Sequence, residues 1–237
     1  MKRIEFHVHT KASKDSLLGA HLLLARCRVR GIDAIAITDH NEVSFALKYK
    51  EYFKKHGVEI IPGEEIFTKE GEIIGLYLKE RIKPGLSPED TIAEIRRQGG
   101  LVYVPHPYDV KRAKTVLRPE ALARIASQVD LIEKHNVRNI ETGYSIKQNA
   151  IAEKYGLRKV VGSDAHTFYE VGRNYCLVES VSRPDLLREL SEAVFVEARC
   201  IKFAHTNTKL VKLLKMLGKG DFNGIVGTVK RKLKRGK

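Results

Sequence analysis

Short apolar runs rich in β-branched residues alternate along this chain with longer stretches whose apolar positions recur every three or four residues. The short runs predict strands at Arg3–Val8, Asp33–Thr38, Val58–Phe67, Leu101–Pro105, Val129–Glu133, Lys159–Gly162 and Tyr175–Val178. The longer stretches predict helices at Leu17–Arg30, Glu42–Lys55, Pro88–Gln98, Pro119–Ala126, Ser145–Tyr155 and Pro184–Glu192. Several begin at a Pro and stop before a Gly (Gly31, Gly57, Gly99, Gly156), as helices do. One stretch breaks the rhythm. Glu65–Lys79 reads as a strand, a turn at Lys69-Glu70-Gly71, and a returning strand over Glu72–Leu78, a β-hairpin after the third strand. Alternation of strand and helix over this length predicts an α/β fold whose parallel sheet closes into a barrel, ahead of an open doubly wound sheet.

Composition narrows the class and charge divides the chain. With 237 residues, 43% hydrophobic and 30% charged, it is ordinary globular material with enough apolar side chains for a sizeable core. No apolar run approaches the ~20 residues of a membrane span. The start, MKRIEFHVHT, lacks a signal-peptide core, so a cytoplasmic location is expected. Cys27, Cys176 and Cys200 have no metal-like spacing and read as reduced thiols. The net charge is +14, and residues 209–237 hold ten Lys or Arg against a single acid, Asp221. We therefore divide the chain into a barrel, residues 1–204, and a basic helical C-terminal tail, residues 205–237. The tail reads as two amphipathic helices. The first starts near Thr206 and carries Lys209, Lys212 and Lys215 on one face. The second spans about Ile225–Leu233 and ends in Lys230, Arg231, Lys232, Lys234 and Arg235. Such lysines are first of all a solvated face; a phosphate-backbone footprint is the sharper alternative.

Chemistry gathers at the strand ends, the rim where α/β barrels place their sites. His7 and His9 close the first strand at i and i+2, so both side chains point the same way. The second strand runs into Asp39-His40, the third carries Glu64 and Glu65, the fourth ends at His106, and the sixth runs into Asp164 and His166. Alternation allows only one of Glu64 and Glu65 to face the centre. Each motif is weak alone, but five strand ends with imidazole or carboxylate predict a site for several divalent ions. No GxGxxG or P-loop pattern appears.

HVHT, TDHN, PGEE, HPYD and GSDAH, in this order over residues 1–180, resemble the motifs of the PHP (polymerase and histidinol phosphatase) family. The resemblance implies a distorted (β/α)7 barrel and a trinuclear centre of divalent ions (Mn, Zn or Fe) that hydrolyses phosphoesters. It implies ligands in three groups: His7, His9, Glu65 and Asp164; Glu65 and His106; Asp15, His40 and His166. Where the family carries a further His on the returning hairpin strand, this chain has Glu72, a ligand through oxygen or an exposed edge-strand acid. VDLIEKHNVR resembles the family's ExxNxR segment, which makes Arg138 a candidate for the substrate phosphate, with Arg112 as rival and a plain salt bridge as the bland alternative.

The function expected is a phosphatase on nucleotides or other small phosphate esters, working by attack of a metal-bridging hydroxide, with Asp164, His166 and His40 as the catalytic candidates for proton movement. The alternative is an exonuclease on RNA or DNA ends, with the tail lysines on the strand. A vestigial nucleic-acid module and an amidohydrolase are more remote readings.

Overall fold

A computed structural model of the chain describes residues 1–112, 114–200 and 202–218. The elements in order are β1 (Lys2–Val8), α1 (Ala20–Arg30), β2 (Ala34–His40), α2 (Ser44–Lys54), β3 (Glu59–Thr68), β4 (Gly71–Leu76), α3 (Pro88–Arg97), β5 (Leu101–Val104), α4 (Pro119–Ile125), β6 (Leu131–Asn136), α5 (Thr142–Lys154), β7 (Arg158–Gly162), β8 (Tyr175–Val178), α6 (Arg183–Glu189), β9 (Val194–Val196) and α7 (Lys202–Gly218). The strands of the described residues form one sheet in the order β7-β6-β5-β4-β3-β2-β1-β8-β9.

The sheet curls into a nearly closed barrel. β1, β2 and β3 pair in parallel, as do β5, β6 and β7; β4 lies between β3 and β5, antiparallel to both. Val8, the last residue of β1, bridges Ala165, just past β7. His9 N donates to Ala165 O at 2.8 Å and Ala165 N to His7 O at 3.2 Å. The rest of the free edge of β1, Lys2–Ile4, pairs antiparallel with β8. Tyr175–Val178, expected as the last strand of the alternating series, therefore runs the other way and flanks the ring. The reason is the connection: residues 163–174 contain no helix, and a parallel return needs a crossover. The returning hairpin strand β4 takes the remaining place in the ring.

Helices cover the strands, which are buried on both faces and so read as near-continuous apolar runs. Leu23, Leu24 and Cys27 of α1 and Phe45 and Phe53 of α2 pack with Ile35, Ile37 and Ile60. Ile92, Ile95, Leu122 and Ile125 of α3 and α4 pack with Ile73, Val102, Val104 and Ile132. Each such side chain contributes roughly 1.5–3 kcal/mol on burial. Helix α3 shows how local sequence sets an element. Ser87 caps it by accepting from Asp90 N at 3.0 Å, Pro88 opens it, Glu89 and Asp90 sit in its first turn, and Arg96 and Arg97 in its last.

Helix α7 begins at Lys202, earlier than expected, and is tied to the barrel mouth. Lys215 Nζ donates to the carbonyl oxygens of Lys11 (2.8 Å) and Ser13 (2.6 Å), and Arg138 Nη2 donates to Thr208 Oγ1 (2.6 Å). The expected second tail helix, with Lys230, Arg231, Lys232, Lys234 and Arg235, lies outside the described residues. No helix of the described residues is long and apolar enough to cross a membrane.

The hairpin turn depends on Gly71, at φ 127°, where a side chain would meet Leu117 N and Val116 O, both 2.6 Å from the position of its Cβ. Both contacts are backbone and cannot step aside. Gly71→Ala is expected to destabilise the fold by about 2–4 kcal/mol, read from the midpoint of urea unfolding.

Candidate metal centre

The strand ends deliver the polar side chains to one buried cluster. His7, His9, Glu65, His106, Asp164 and His166 are all almost completely buried, whereas the His40 side chain retains 17% exposure. Register explains which glutamate points inward. His40 pairs with Glu65 across β2–β3, and Glu65 enters the cluster. Glu64 points away and accepts from Ile82 N at 2.9 Å.

Glu65 is the hub. Its Oε1 lies 3.0 Å from His106 Nε2 and 3.5 Å from His7 Nε2; its Oε2 lies 2.8 Å from His40 Nδ1 and 3.5 Å from His9 Nε2. Asp164 Oδ1 stands 3.3 Å from His9 Nε2 and 3.8 Å from His7 Nε2. Asp15 faces the other side, with Oδ1 3.4 Å from His166 Nε2 and Oδ2 3.7 Å from His40 Nε2. Glu72, on a ring strand and buried, is 3.7 Å from His106 Nε2 and 3.8 Å from His40 Nδ1; it is no exposed edge acid.

Atoms behind the cluster orient its imidazoles. His7 Nδ1 lies 3.2 Å from Glu133 Oε1, which also accepts from Tyr103 Oη at 2.7 Å; Glu133 Oε2 accepts from His106 N and Asn136 Nδ2. His9 Nδ1 lies 3.2 Å from Ser13 Oγ, and Ser13 Oγ donates to Asp39 Oδ1 at 2.6 Å. With Nδ1 protonated on both rings, the Nε2 lone pairs converge, only 3.1 Å apart. Gly162 makes room: a Cβ there would strike the Glu133 carboxylate and come within 2.9 Å of His7 Cβ. His106 (φ 29°) and Asp164 (φ 51°) hold left-handed backbone conformations unfavourable to them, and such strain gathers at functional sites.

The two arginines are committed. Arg112 Nη1 lies 2.5 Å from Asp164 Oδ2, and its Nε 3.3 Å from Asp109. Arg138 is buried, with Nε 3.2 Å from Glu170 Oε1 and Nη1 2.9 Å from His166 Nδ1. That Nδ1 also lies 2.8 Å from Asp164 O, so it donates to the carbonyl when protonated and accepts from Arg138 when not. Lys209 is exposed on α7, and Lys212 and Lys215 are half-buried beside the mouth. Ser13 and Glu170 carry structure around the site that strand-end logic did not single out, and a serine gives no spacing signal of its own, whereas Asp39, read at the end of the second strand, accepts from Ser13 and Thr10 instead of entering the cluster.

Crowded charges in a dry site perturb one another. Burial opposes the imidazolium of His7, but Asp164 and Glu65 outweigh it and hold its pKa well above the ordinary value. Burial, with the His166 and His40 rings nearby, keeps His9 well below it. Burial and the neighbouring Glu65 push Glu72 up to about 7. Despite burial, Arg112 and His7 hold Asp164 well below the carboxylate range, and His40 and His7 do the same for Glu65. This donor set fits divalent cations. Sets of nitrogen and oxygen atoms within 4.8 Å of one another occur at His7–His9–Glu65, at His9–His40–His166 and at His40–Glu65–Glu72, and Asp15 Oδ1 is buried without a hydrogen-bond partner.

Two predictions rest on this geometry. Glu133→Gln keeps the shape but weakens the acceptor behind His7, so affinity for divalent metal should fall about 10–100-fold in a metal titration. His40 is desolvated by burial, yet Glu65 and Asp15 raise its pKa to about 9. Its stabilising effect is full below the ordinary value of 6.5 and is lost as pH rises through about 9. The melting temperature of the metal-free chain should therefore fall between pH 6.5 and 9, and a constant value would contradict the charge arrangement.

The comparisons agree with this architecture. The PHP domain model matches residues 5–231. An uncharacterized protein of Methanocaldococcus jannaschii is 34% identical over 204 residues, 84% of this chain and 80% of that protein. Among solved structures, a two-domain protein of Bacteroides vulgatus containing a predicted PHP-like metal-dependent phosphoesterase has a TM-score of 0.67 at 18% identity over 83% of this chain. The present chain spans 64% of that protein's length. Endonuclease Q, in complex with a 27-mer duplex substrate carrying an abasic lesion, has a TM-score of 0.54 at 13% identity, covering 81% of this chain and 56% of that one. With its barrel, its strand-end motifs and a family match along nearly its whole length, the chain belongs to the PHP domain family.

Proposed function

We propose that this chain is a divalent-metal-dependent phosphoesterase that removes phosphate from nucleotides or other small phosphate esters. The observation that carries this reading is the division of Glu65, each of whose oxygens faces two imidazole nitrogens, so that its carboxylate would serve more than one donor group. His7, His9 and Asp164 complete one donor group, His106 and Glu72 a second, and Asp15, His40 and His166 a third, all suited to Mn, Zn or Fe. Bound divalent cations would supply Lewis acidity, neutralising charge on phosphate oxygens and acidifying water.

The side chains of the protein do the rest. Glu133 and Ser13 fix the rings of His7 and His9. Arg112 grips one oxygen of Asp164 and leaves the other toward the histidines, so Asp164 stays ionised and orients rather than abstracts. His40, the most exposed histidine of the cluster, and His166 are the groups we assign to the leaving-group oxygen and its proton. Arg112, with 21% exposure, can still turn an N–H toward a substrate phosphate, whereas buried Arg138 acts through His166. The free cysteines, two of them buried, suit a reducing, cytoplasmic setting.

A second reading, cleavage at nucleic-acid ends, is favoured by α7, which brings Lys212 and Lys215 beside His40. Steep loss of activity with added salt on oligonucleotides, absent for small esters, would select it.

Chelation is expected to abolish hydrolysis, and Mn, Zn or Fe to restore it. His9→Ala and Glu65→Gln should each lower kcat by at least about 10²–10³-fold, with the far-UV circular dichroism unchanged. Wild-type turnover by either variant, after strict removal of stray metal, would refute the reading; a panel of phosphomonoesters, diesters and short RNAs provides the assay.

A further inference from the structure

A second group of reactive side chains stands where β6 hands over to α5, outside the metal cluster. The β6–β7 register shifts between Glu133 and His135, and the shift separates two residues that strand parity would aim together. Glu133 stays behind His7, whereas His135 meets Ser145 of α5 and the segment after β9. His135 Nε2 lies 3.0 Å from Ala198 O. A carbonyl oxygen can only accept, so Nε2 carries a proton, and on the neutral ring Nδ1 is left as an acceptor. Ser145 Oγ stands 2.6 Å from that Nδ1 and donates to it. The same oxygen accepts from Asn139 Nδ2 at 3.0 Å, and Asn139 Nδ2 is also 3.0 Å from Gln148 Oε1. The Glu197 carboxylate, 3.9 Å from His135 Nδ1, is beyond hydrogen-bond reach and pairs with Lys134 at 2.7 Å. A hydroxyl, a base in the right tautomer and a third group orienting that base are the parts of an activated nucleophile.

These atoms are not sealed into the packing. His135, Asn139 and Ser145 line a cavity of about 190 Å³ together with Arg199 and Cys200. Ser145 lies in the first turn of α5, the end of a helix that favours negative charge. The geometry points to Ser145 and His135 as the nucleophile and base of a second hydrolytic site, one that takes small carboxylic esters and needs no metal. The Ser145 proton passes to His135 Nδ1 as Oγ attacks the carbonyl carbon, and Arg199 can offer N–H groups to the oxygen that gains charge. The bond to the alcohol then breaks, and the alcohol leaves with the proton from His135. Water attacks the acyl-serine, gives a proton to His135, and the acid departs as that proton returns to Ser145 Oγ. Ester and water thus become acid and alcohol. The cavity is smaller than the roughly 300–1,000 Å³ of sites for drug-sized ligands, so it receives a short acyl group and leaves the alcohol outside.

The full chain, kept free of metal by chelation, is mixed with p-nitrophenyl acetate. A burst of about one equivalent of p-nitrophenol per chain is expected, with the acetyl group found by mass spectrometry on the peptide containing Ser145. Ser145→Ala should lose burst and adduct, and His135→Gln should slow the burst about 10²-fold or more, with far-UV circular dichroism unchanged in both. The wild type alone supplies an independent reading. With a fluorophosphonate under the same chelation, Oγ bonds to phosphorus, fluoride is expelled, the proton leaves through His135, and the adduct should map to Ser145. No adduct on wild-type Ser145 with either reagent, label only on Cys200 or on lysines, or an undiminished burst in folded His135→Gln would overturn the proposal. Failure of metal-dependent phosphoester hydrolysis would refute the reading of the Glu65 cluster and leave these measurements as they are.

Discussion

Everything at the mouth of this barrel follows from packing five imidazoles and four carboxylates where water is scarce. Such groups repel, attract and desolvate one another, and the protein leaves the account unsettled at its centre: His7 and His40 cling to protons while His9 refuses one, and Glu65 stays ionised beneath four rings. A donor set of this kind suits a cation that bonds to several of its members at once. The surrounding hydrogen bonds from Glu133, Ser13 and Arg112 hold the rings and carboxylates in place before anything arrives.

Much of this was legible in the sequence because strands obey parity. HxH and DxH at i and i+2 put both members of each pair on one side, and an apolar run ending in such a pair marks a rim. Parity could not choose between Glu64 and Glu65; the pairing of His40 with Glu65 did, and pairing is a long-range property. Nor could it show that Glu72 lies inside the ring, because that depends on β4 being flanked on both sides. The direction of β8 escaped for a similar reason: four apolar residues look the same whichever way they run, and only the helix-free connection from β7 forces the reversal.

The positive charges show the same limit more sharply. Arginines near a motif look alike in sequence whether they await a ligand or serve a neighbour. Asp109, Glu170 and Asp164 lie far or near along the chain, yet each stands beside Arg112 or Arg138 in the fold. The tail lysines, by contrast, are obvious as charge and opaque as position. The bond from Arg138 to Thr208 and those from Lys215 to the β1–α1 connection reveal that α7 belongs to the mouth.

The hairpin gives that mouth two unlike banks. On one side β3 and β4 rise past Glu72 to a tip that is moored, with Glu72 N on Thr115 O, Arg118 N on Glu70 O and the Arg124 guanidinium on Glu70. On the other side stands α7, which is not woven into the sheet and meets the barrel through side chains. Alterations along the Lys212–Lys215 stretch of α7 thus bear on the approach to His40 and leave the moored bank as it is, while a change at Thr208 would be felt through Arg138 at His166.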